Sequence, residues 1–222
     1  MQKFDTTAPV SAVLDIPAGR IRFIAADRTD TTVEVLPANA SKSSDVKAAE
    51  QIEVEYRDGV LRIQAAPPKS RILGNSGSVE VTVQLPAGSR VEAKAASAEL
   101  RGVGRLGDVA FDGAHGSVKL DETASARLTL LAGDISVGRL GGPAEISTQK
   151  GDIRIAEAAR GTVELRTEAG EISVGAARGA SASLDAGTGY GRIHNALRNT
   201  EGAADLNIRA TTSYGDITAR SL

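Results

Sequence analysis

Gly133-Asp134-Ile135-Ser136-Val137 returns as Gly151-Asp152-Ile153-Arg154-Ile155, then as Gly170-Glu171-Ile172-Ser173-Val174, and near the end as Gly215-Asp216-Ile217-Thr218. The first three glycines stand 18 and 19 residues apart. A fixed period of this size marks a chain of stacked repeats. Inside each copy apolar and polar residues alternate, which is the period of a strand with one buried face. Ile135/Val137, Ile153/Ile155 and Ile172/Val174 therefore point one way, and Ser136, Arg154, Ser173, His194 and Thr218 point the other.

Between these phrases lies a second set of alternating segments, residues 127–130, 144–148, 162–167, 181–186 and 205–210. Their apolar members, Leu128/Leu130, Val163/Leu165, Ala182/Leu184 and Leu206/Ile208, face the first set. Weaker copies occur at 91–95, 99–101, 109–112 and 117–120. Equivalent strands of successive repeats stack in parallel about 4.8 Å apart. The pattern predicts an all-β fold: a β-solenoid of rungs of about 18–19 residues over 87–222. Parallel crossovers are right-handed, so that hand is expected. The competing β-sandwich has no reason to keep a constant spacing.

Residues 1–86 read differently, as an antiparallel β region that caps the solenoid, with both parts compatible with one continuous domain. Segments 12–16, 20–25 and 31–36 alternate with β-branched residues. Asp58-Gly59, between segments 52–56 and 60–65, is a hairpin signal. Pro67-Pro68 ends that strand, residues 69–77 read as a loop, and 78–85 as a strand. One short helix is predicted over 45–51, capped by Ser44 and with Asp45 in its first turn. Ile16-Pro17-Ala18-Gly19 and Leu85-Pro86-Ala87-Gly88 echo each other before a strand, either as equivalent starts of two halves or as one turn type used twice.

Composition narrows the function classes. Of 222 residues, 41% are hydrophobic but only 3% aromatic, with no Trp, so the core is built of Val, Ile, Leu and Ala. Formal net charge is −2, and residues 87–222 hold 16 Lys/Arg against 17 Asp/Glu. That balance gives no electrostatic footprint for nucleic acid or anionic lipid. With no Cys and two His there is no disulfide framework and little for a metal or redox centre. No apolar run approaches the roughly 18 residues of a membrane span. The first residues, Met1-Gln2-Lys3-Phe4-Asp5, lack the apolar stretch of a signal peptide, which predicts a cytoplasmic protein.

The ensemble of Asp27-Arg28-Thr29-Asp30-Thr31, Val33-Glu34-Val35, Ser44-Asp45-Val46-Lys47-Ala48-Ala49-Glu50-Gln51, Val81-Thr82-Val83-Gln84-Leu85-Pro86-Ala87-Gly88-Ser89, the Gly-Asp-Ile phrases and Thr212-Ser213-Tyr214-Gly215-Asp216-Ile217 resembles a bacterial family of β-strand-repeat proteins of unknown function. The version most similar is that of actinomycetes. The family is catalogued under an adhesin label. The resemblance implies an all-β repeat fold and supplies no catalytic residues.

Each candidate site has a plain structural reading beside it. Asp134, Asp152 and Glu171 fall in one column, and calcium favours such oxygens. The phrases lack the dense glycine–aspartate pattern of calcium rolls, so each Asp is read as capping its own turn through an Asx hydrogen bond. Asp112, His115 and Ser117 carry no nucleophile elbow or oxyanion signature. The Gly-rich run 187–191 lacks the Lys and helix of a phosphate loop. Outer-face Arg127, Glu145, Glu164 and Arg166 read as solvated cross-rung pairs.

Tyr190 and Tyr214 recur in matching frames and are placed to stack across rungs. His194 and Asn195 open the longest irregular insertion, to about Gly202. Tyr190, His194, Asn195 and Tyr214 are the candidate interaction patch, because aromatic faces beside polar groups suit a ligand. No catalytic, cofactor or metal residue is assigned. The reading is a non-enzymatic structural or protein-interaction module that binds a protein partner or itself. The alternative is an adhesin-like carbohydrate or surface-binding protein.

Overall fold

The computed structural model describes residues 1–65, 77–199 and 203–222. The Pro67-Pro68 stop, nearly all of the 69–77 loop and the last three residues of the insertion ending at Gly202 lie outside the described residues. The strands are β1 (Gln2–Asp5), β2 (Ser11–Ala26), β3 (Asp30–Pro37), β4 (Ile52–Arg57), β5 (Val60–Ala65), β6 (Val79–Pro86), β7 (Arg90–Ala132) and β8 (Ile135–Leu140). They continue with β9 (Ala144–Lys150), β10 (Ile153–Ala158), β11 (Gly161–Ala169), β12 (Ile172–Ala176), β13 (Ala182–Tyr190), β14 (Ile193–Ala196), β15 (Leu206–Tyr214) and β16 (Ile217–Ser221). The single helix among the described residues, α1, spans Ser43–Glu50.

Two stacks of strands face each other. One runs β1-β3-β6-β2-β7-β8-β10-β12-β16-β14, and the other β4-β5-β2-β7-β9-β11-β15-β13. β2 and β7 belong to both because each turns corners while staying extended. The four weak repeats read from 91–120 all lie within β7. From β8 onward every pair is parallel, with Ile135, Ile153, Ile172 and Ile217 in one column and a register shift between Ile155 and Ala158 where β10 meets β12. The solenoid expected from the period is present, with β9, β11, β13 and β15 two or three residues longer than the alternation indicates, as in Gly161–Ala169 against 162–167.

The two inner faces make one thin aliphatic core. Ile135, Val137, Ile153, Ile155, Leu128, Val163, Leu206 and Ile208 are all buried, as the alternation requires. Burying each such side chain contributes roughly 1.5–3 kcal/mol before the entropy of ordering the chain is counted. Phe23 and Phe111 are buried in the same core nearer the N-terminus.

The N-terminal region mixes both pairing types. β3 is antiparallel to both of its neighbours, β1 and β6, and β4 is antiparallel to β5. β2, however, pairs in parallel with β5, β6 and β7, so it is the first solenoid rung. Asp58 and Gly59, with φ of 51° and 78°, make the expected hairpin turn, since two left-handed residues match the twist of the strands they join.

Two local expectations fail here. Neither reading of the Pro-Ala-Gly echo holds: Pro17–Gly19 lies inside the continuous strand β2, with Gly19 at φ of 143°, whereas Ala87 and Gly88 form a turn after β6, with Gly88 at φ of 80°. The helix starts two residues earlier than expected, at Ser43, with Lys42 at the cap position and no side-chain cap. Ser44 instead donates to Asp45, and the buried Asp45 carboxylate accepts the Ser78 amide at 3.1 Å, tying the helix to the start of β6.

Asp30 anchors β1 to β3. It accepts from Arg28 at 2.8 Å and pairs with Lys3 at 3.2 Å, while Arg28 also donates to Gln84. The Arg28 hydrogen bond, with help from Lys3, holds the Asp30 carboxyl down at about 2. A lowered carboxyl pKa stabilises the fold above the unfolded value near 4, and that stabilisation disappears as pH falls toward 2. Melting temperature should therefore drop over this window, and Asp30→Asn should flatten the drop. An equally steep fall in the variant would show that Asp30 is not responsible.

The stacking order departs from the chain order at one place. β15 lies between β11 and β13, and β16 lies between β12 and β14. The last rung in sequence is thus the second-to-last in space, and the rung formed by β13 and β14 is outermost. Successive repeats were expected to stack in succession. The connection after Ala196 instead leads the chain back inward by one rung.

Candidate functional site

The repeated Gly-Asp phrase turns out to be a set of hydrogen-bonded columns. Asp134 Oδ1 accepts the amide of Asp152 at 2.9 Å, Asp152 Oδ1 that of Glu171 at 2.8 Å, and Asp216 Oδ1 that of Arg192 at 2.8 Å. Each Asp therefore caps the next rung outward and not its own turn. The Asx expectation fails because each carboxylate oxygen takes the amide of the equivalent position one rung outward. These oxygens are committed to the backbone. Among the described residues no three His, Asp or Glu side chains converge as a metal site would need.

A second column was not read from the sequence. Thr167 Oγ1 donates to the Gly151 carbonyl at 3.0 Å, Thr212 to Gly170 at 3.1 Å and Thr188 to Gly215 at 3.0 Å. Each Thr stands three residues before the Gly of its own phrase, so the full phrase is Thr-x-x-Gly-x-Ile. The signal was a polar residue at an inward-facing position. A buried hydroxyl costs free energy unless bonded, and here each is bonded to the rung beneath it.

On the outer face, Arg127 pairs with Glu145 at 3.4 Å and Glu164 with Arg209 at 2.9 Å. Arg166 lines the same shallow trough and sits opposite Ser147 and Thr211. Exposed pairs of this kind contribute about 0–1 kcal/mol each. Asp112, His115 and Ser117 are exposed along β7 and share no hydrogen bond. Besides Asp30, two carboxyls among the described residues are displaced. A backbone amide lowers each: that of Ser78 for Asp45 and that of Arg192 for Asp216. All three stay ionised in structural roles, whereas a general acid working near neutral pH needs a raised pKa.

Tyr190 and Tyr214 meet as expected. They pair in register, their rings stack with centroids 5.1 Å apart and planes 3° apart, and they are 72% and 60% exposed. His194 and Asn195 lie around the corner on β14, so they form part of a strand and do not open the insertion. His194 is exposed, while Asn195 Oδ1 accepts the Leu197 amide at 3.0 Å and shapes the exit from β14. The four patch residues thus share the C-terminal end of the solenoid, with the tyrosines in direct contact. Ile193, 46% exposed, belongs to the same end and was missed, because every other Ile of its column is buried.

The two ends differ. At the N-terminal end the edge strands are β1 and β4, whose Phe4 and Tyr56 rings meet at 5.3 Å across the two stacks, with α1 packed on β3 nearby. These edges carry Lys3, Asp5, Glu53, Glu55 and Arg57. At the C-terminal end β13 carries one charged residue, Asp185, and β14 carries no Asp, Glu, Lys or Arg. Charged edge residues keep strands from pairing with other chains, and this edge nearly lacks them.

Stacked parallel rungs, a thin aliphatic core and turn glycines define a β-solenoid repeat protein. Its sequence from 13 to 220 matches the Toastrack DUF4097 model, and the chain belongs to that family, whose function is unknown. A solved structure from Parabacteroides distasonis ATCC 8503, described as a "putative adhesin", is 15% identical with a TM-score of 0.51, over 98% of this chain and 95% of that one. A "putative adhesin" from Bacteroides fragilis NCTC 9343 is 13% identical with a TM-score of 0.48, again over 98% and 95%. A "putative cell adhesion protein" from Clostridium sporogenes ATCC 15579 is 12% identical with a TM-score of 0.40, over 100% and 99%. At such identity the first of these likenesses concerns the fold. No curated protein matches the chain. Among the described residues no helix is long and apolar enough to cross a membrane.

Proposed function

We propose that the chain is a non-enzymatic interaction module whose contact surface is the C-terminal end of the solenoid. The observation that carries this reading is the contrast between the ends. One is closed by Phe4, Tyr56 and a charged edge; the other presents Tyr190, Tyr214, Ile193 and an almost uncharged pair of edge strands. Large apolar rings held rigid by stacking are efficient contact residues, since little side-chain freedom remains to be lost. His194 and Asn195 supply the polar rim of the patch.

The test uses the intact chain as bait in native lysate, beside Tyr190→Ala/Tyr214→Ala. An exposed ring pair contributes only about 0.5–1.5 kcal/mol beyond its area, so the variant should stay folded with a melting temperature a few degrees lower. It should lose the bound protein. A partner retained by the variant, or neither a foreign protein nor a second copy of the chain held by either bait, overturns the reading. The names of the structural relatives and the exposed rings favour one alternative, an adhesin-like carbohydrate or surface binder, which a glycan array tests directly.

A further inference from the structure

We propose that two copies of this chain pair end to end through the outer edge of β13, antiparallel, about a two-fold axis passing by Ala186. This rests on the reading of the C-terminal end as the contact surface and names the partner as a second copy. Ala182 pairs with Leu206, and the Leu206 amide donates to the Ser181 carbonyl. By the alternation of a parallel ladder, the backbone groups of Leu184, Ala186 and Thr188 then point out of the edge. A strand offering such a row is a template for another strand.

Three observations select the occupant. First, a further parallel rung is poorly received. Asp134, Asp152 and Asp216 each cap the amide of the rung outside them, and the outermost rung has Arg192 where that acid would stand. Second, head-to-tail stacking would set this edge on β1 and β4, whose edges are charged and whose rings already meet. Such a contact would also repeat without closing, whereas a two-fold closes. Third, β13 is self-complementary when reversed about Ala186. Leu184 then faces Thr188 of the second copy and Asp185 faces its Gly187; the ladder ends there, because the Ala182 amide already donates to the Arg198 carbonyl and the Tyr190 carbonyl already accepts the Gly215 amide. The single charged residue of the strand never meets itself.

Residue 187 gives a charge test. A Cβ added at Gly187 meets nothing within 4 Å, so larger side chains fit. In the paired state Gly187→Asp places two carboxylates opposite Asp185 residues, and Gly187→Lys places two ammonium groups there. Cross-strand charge pairs are worth enough that the dimer should weaken about threefold or more for Asp and tighten about threefold or more for Lys. Sedimentation equilibrium of the purified full chain measures both, with melting temperatures of the two variants confirming equal folding. Ala186→Pro, which removes one outward amide, should give a monomer.

A wild-type monomer at every concentration overturns the proposal. So does a dimer that ignores both charges or shifts in one direction for both. A monomer that still captures a foreign protein through Tyr190 and Tyr214 overturns self-pairing alone, whereas a monomer that captures nothing overturns the interaction reading as well.

Discussion

Gly151→Ala should lower the stability of the whole solenoid by about 3–5 kcal/mol, one of the largest effects any single methyl group can have here. Gly151 has φ of +143°, a backbone state that side chains rarely adopt. Its hydrogen side faces the preceding rung so closely that an added Cβ would sit 2.2 Å from the Gly133 carbonyl oxygen. That oxygen cannot retreat, because neighbouring rungs are held at the strand spacing on both sides. Gly215 repeats the situation, with φ of +149° and the Gly170 oxygen 1.9 Å from a would-be Cβ. Of a typical total of about 5–15 kcal/mol, a loss of this size leaves a marginal fold. For a domain of this size it corresponds to a melting temperature lower by about 10 °C or more. Gly187→Ala is the control: it meets no atom and should stay within about 0.5 kcal/mol of the parent. Equal melting of the two variants would show that the glycine column is not what sets the rung spacing.

The same column explains what could be read from the sequence. Gly-x-Ile at a steady interval identifies equivalent positions, and alternation assigns faces, so the two stacks and nearly all core residues were legible. Leu184 is the exception, half-buried because its rung has no outer neighbour. The Asp contacts were misassigned because a single strand, read alone, offers Asp only its own turn. Thr167 and Thr212 went unread because inward positions were scanned for apolar residues only. The order of the last two rungs was hidden for a deeper reason. Thr188-Gly189-Tyr190-Gly191-Arg192-Ile193 and Thr212-Ser213-Tyr214-Gly215-Asp216-Ile217 carry the same template. Either can follow β11 and β12 as far as core filling is concerned. The one distinguishing signal was Arg192 in place of the acid, since an acid is needed only where another rung lies outside. Of the candidate patch, the stacking of Tyr190 on Tyr214 was legible from their frames. The contribution of Ile193 depended on knowing which rung is last.

That order makes Ile217→Ala far more damaging than Ile193→Ala, the reverse of what chain position suggests. Both residues occupy the same template position and pair with each other across adjacent rungs. Ile217 is 1% exposed, with Ile172 on one side and Ile193 on the other, although it lies only five residues from the C-terminus. Ile193 is 46% exposed, with a neighbour on one side only. Removing three carbons from a fully enclosed site leaves a cavity that its neighbours cannot fill, because their spacing is fixed by the backbone ladder. The cost is about 2–5 kcal/mol. Removing them from Ile193 forfeits contacts that are already half made to water, at a cost under about 1 kcal/mol. Chemical denaturation of the two single variants measures the difference directly. If the rungs stacked in chain order, Ile193 would be the enclosed residue and Ile217 the terminal one, so the ranking would invert. The comparison therefore tests the out-of-order insertion of β15 and β16 with two substitutions of identical chemistry.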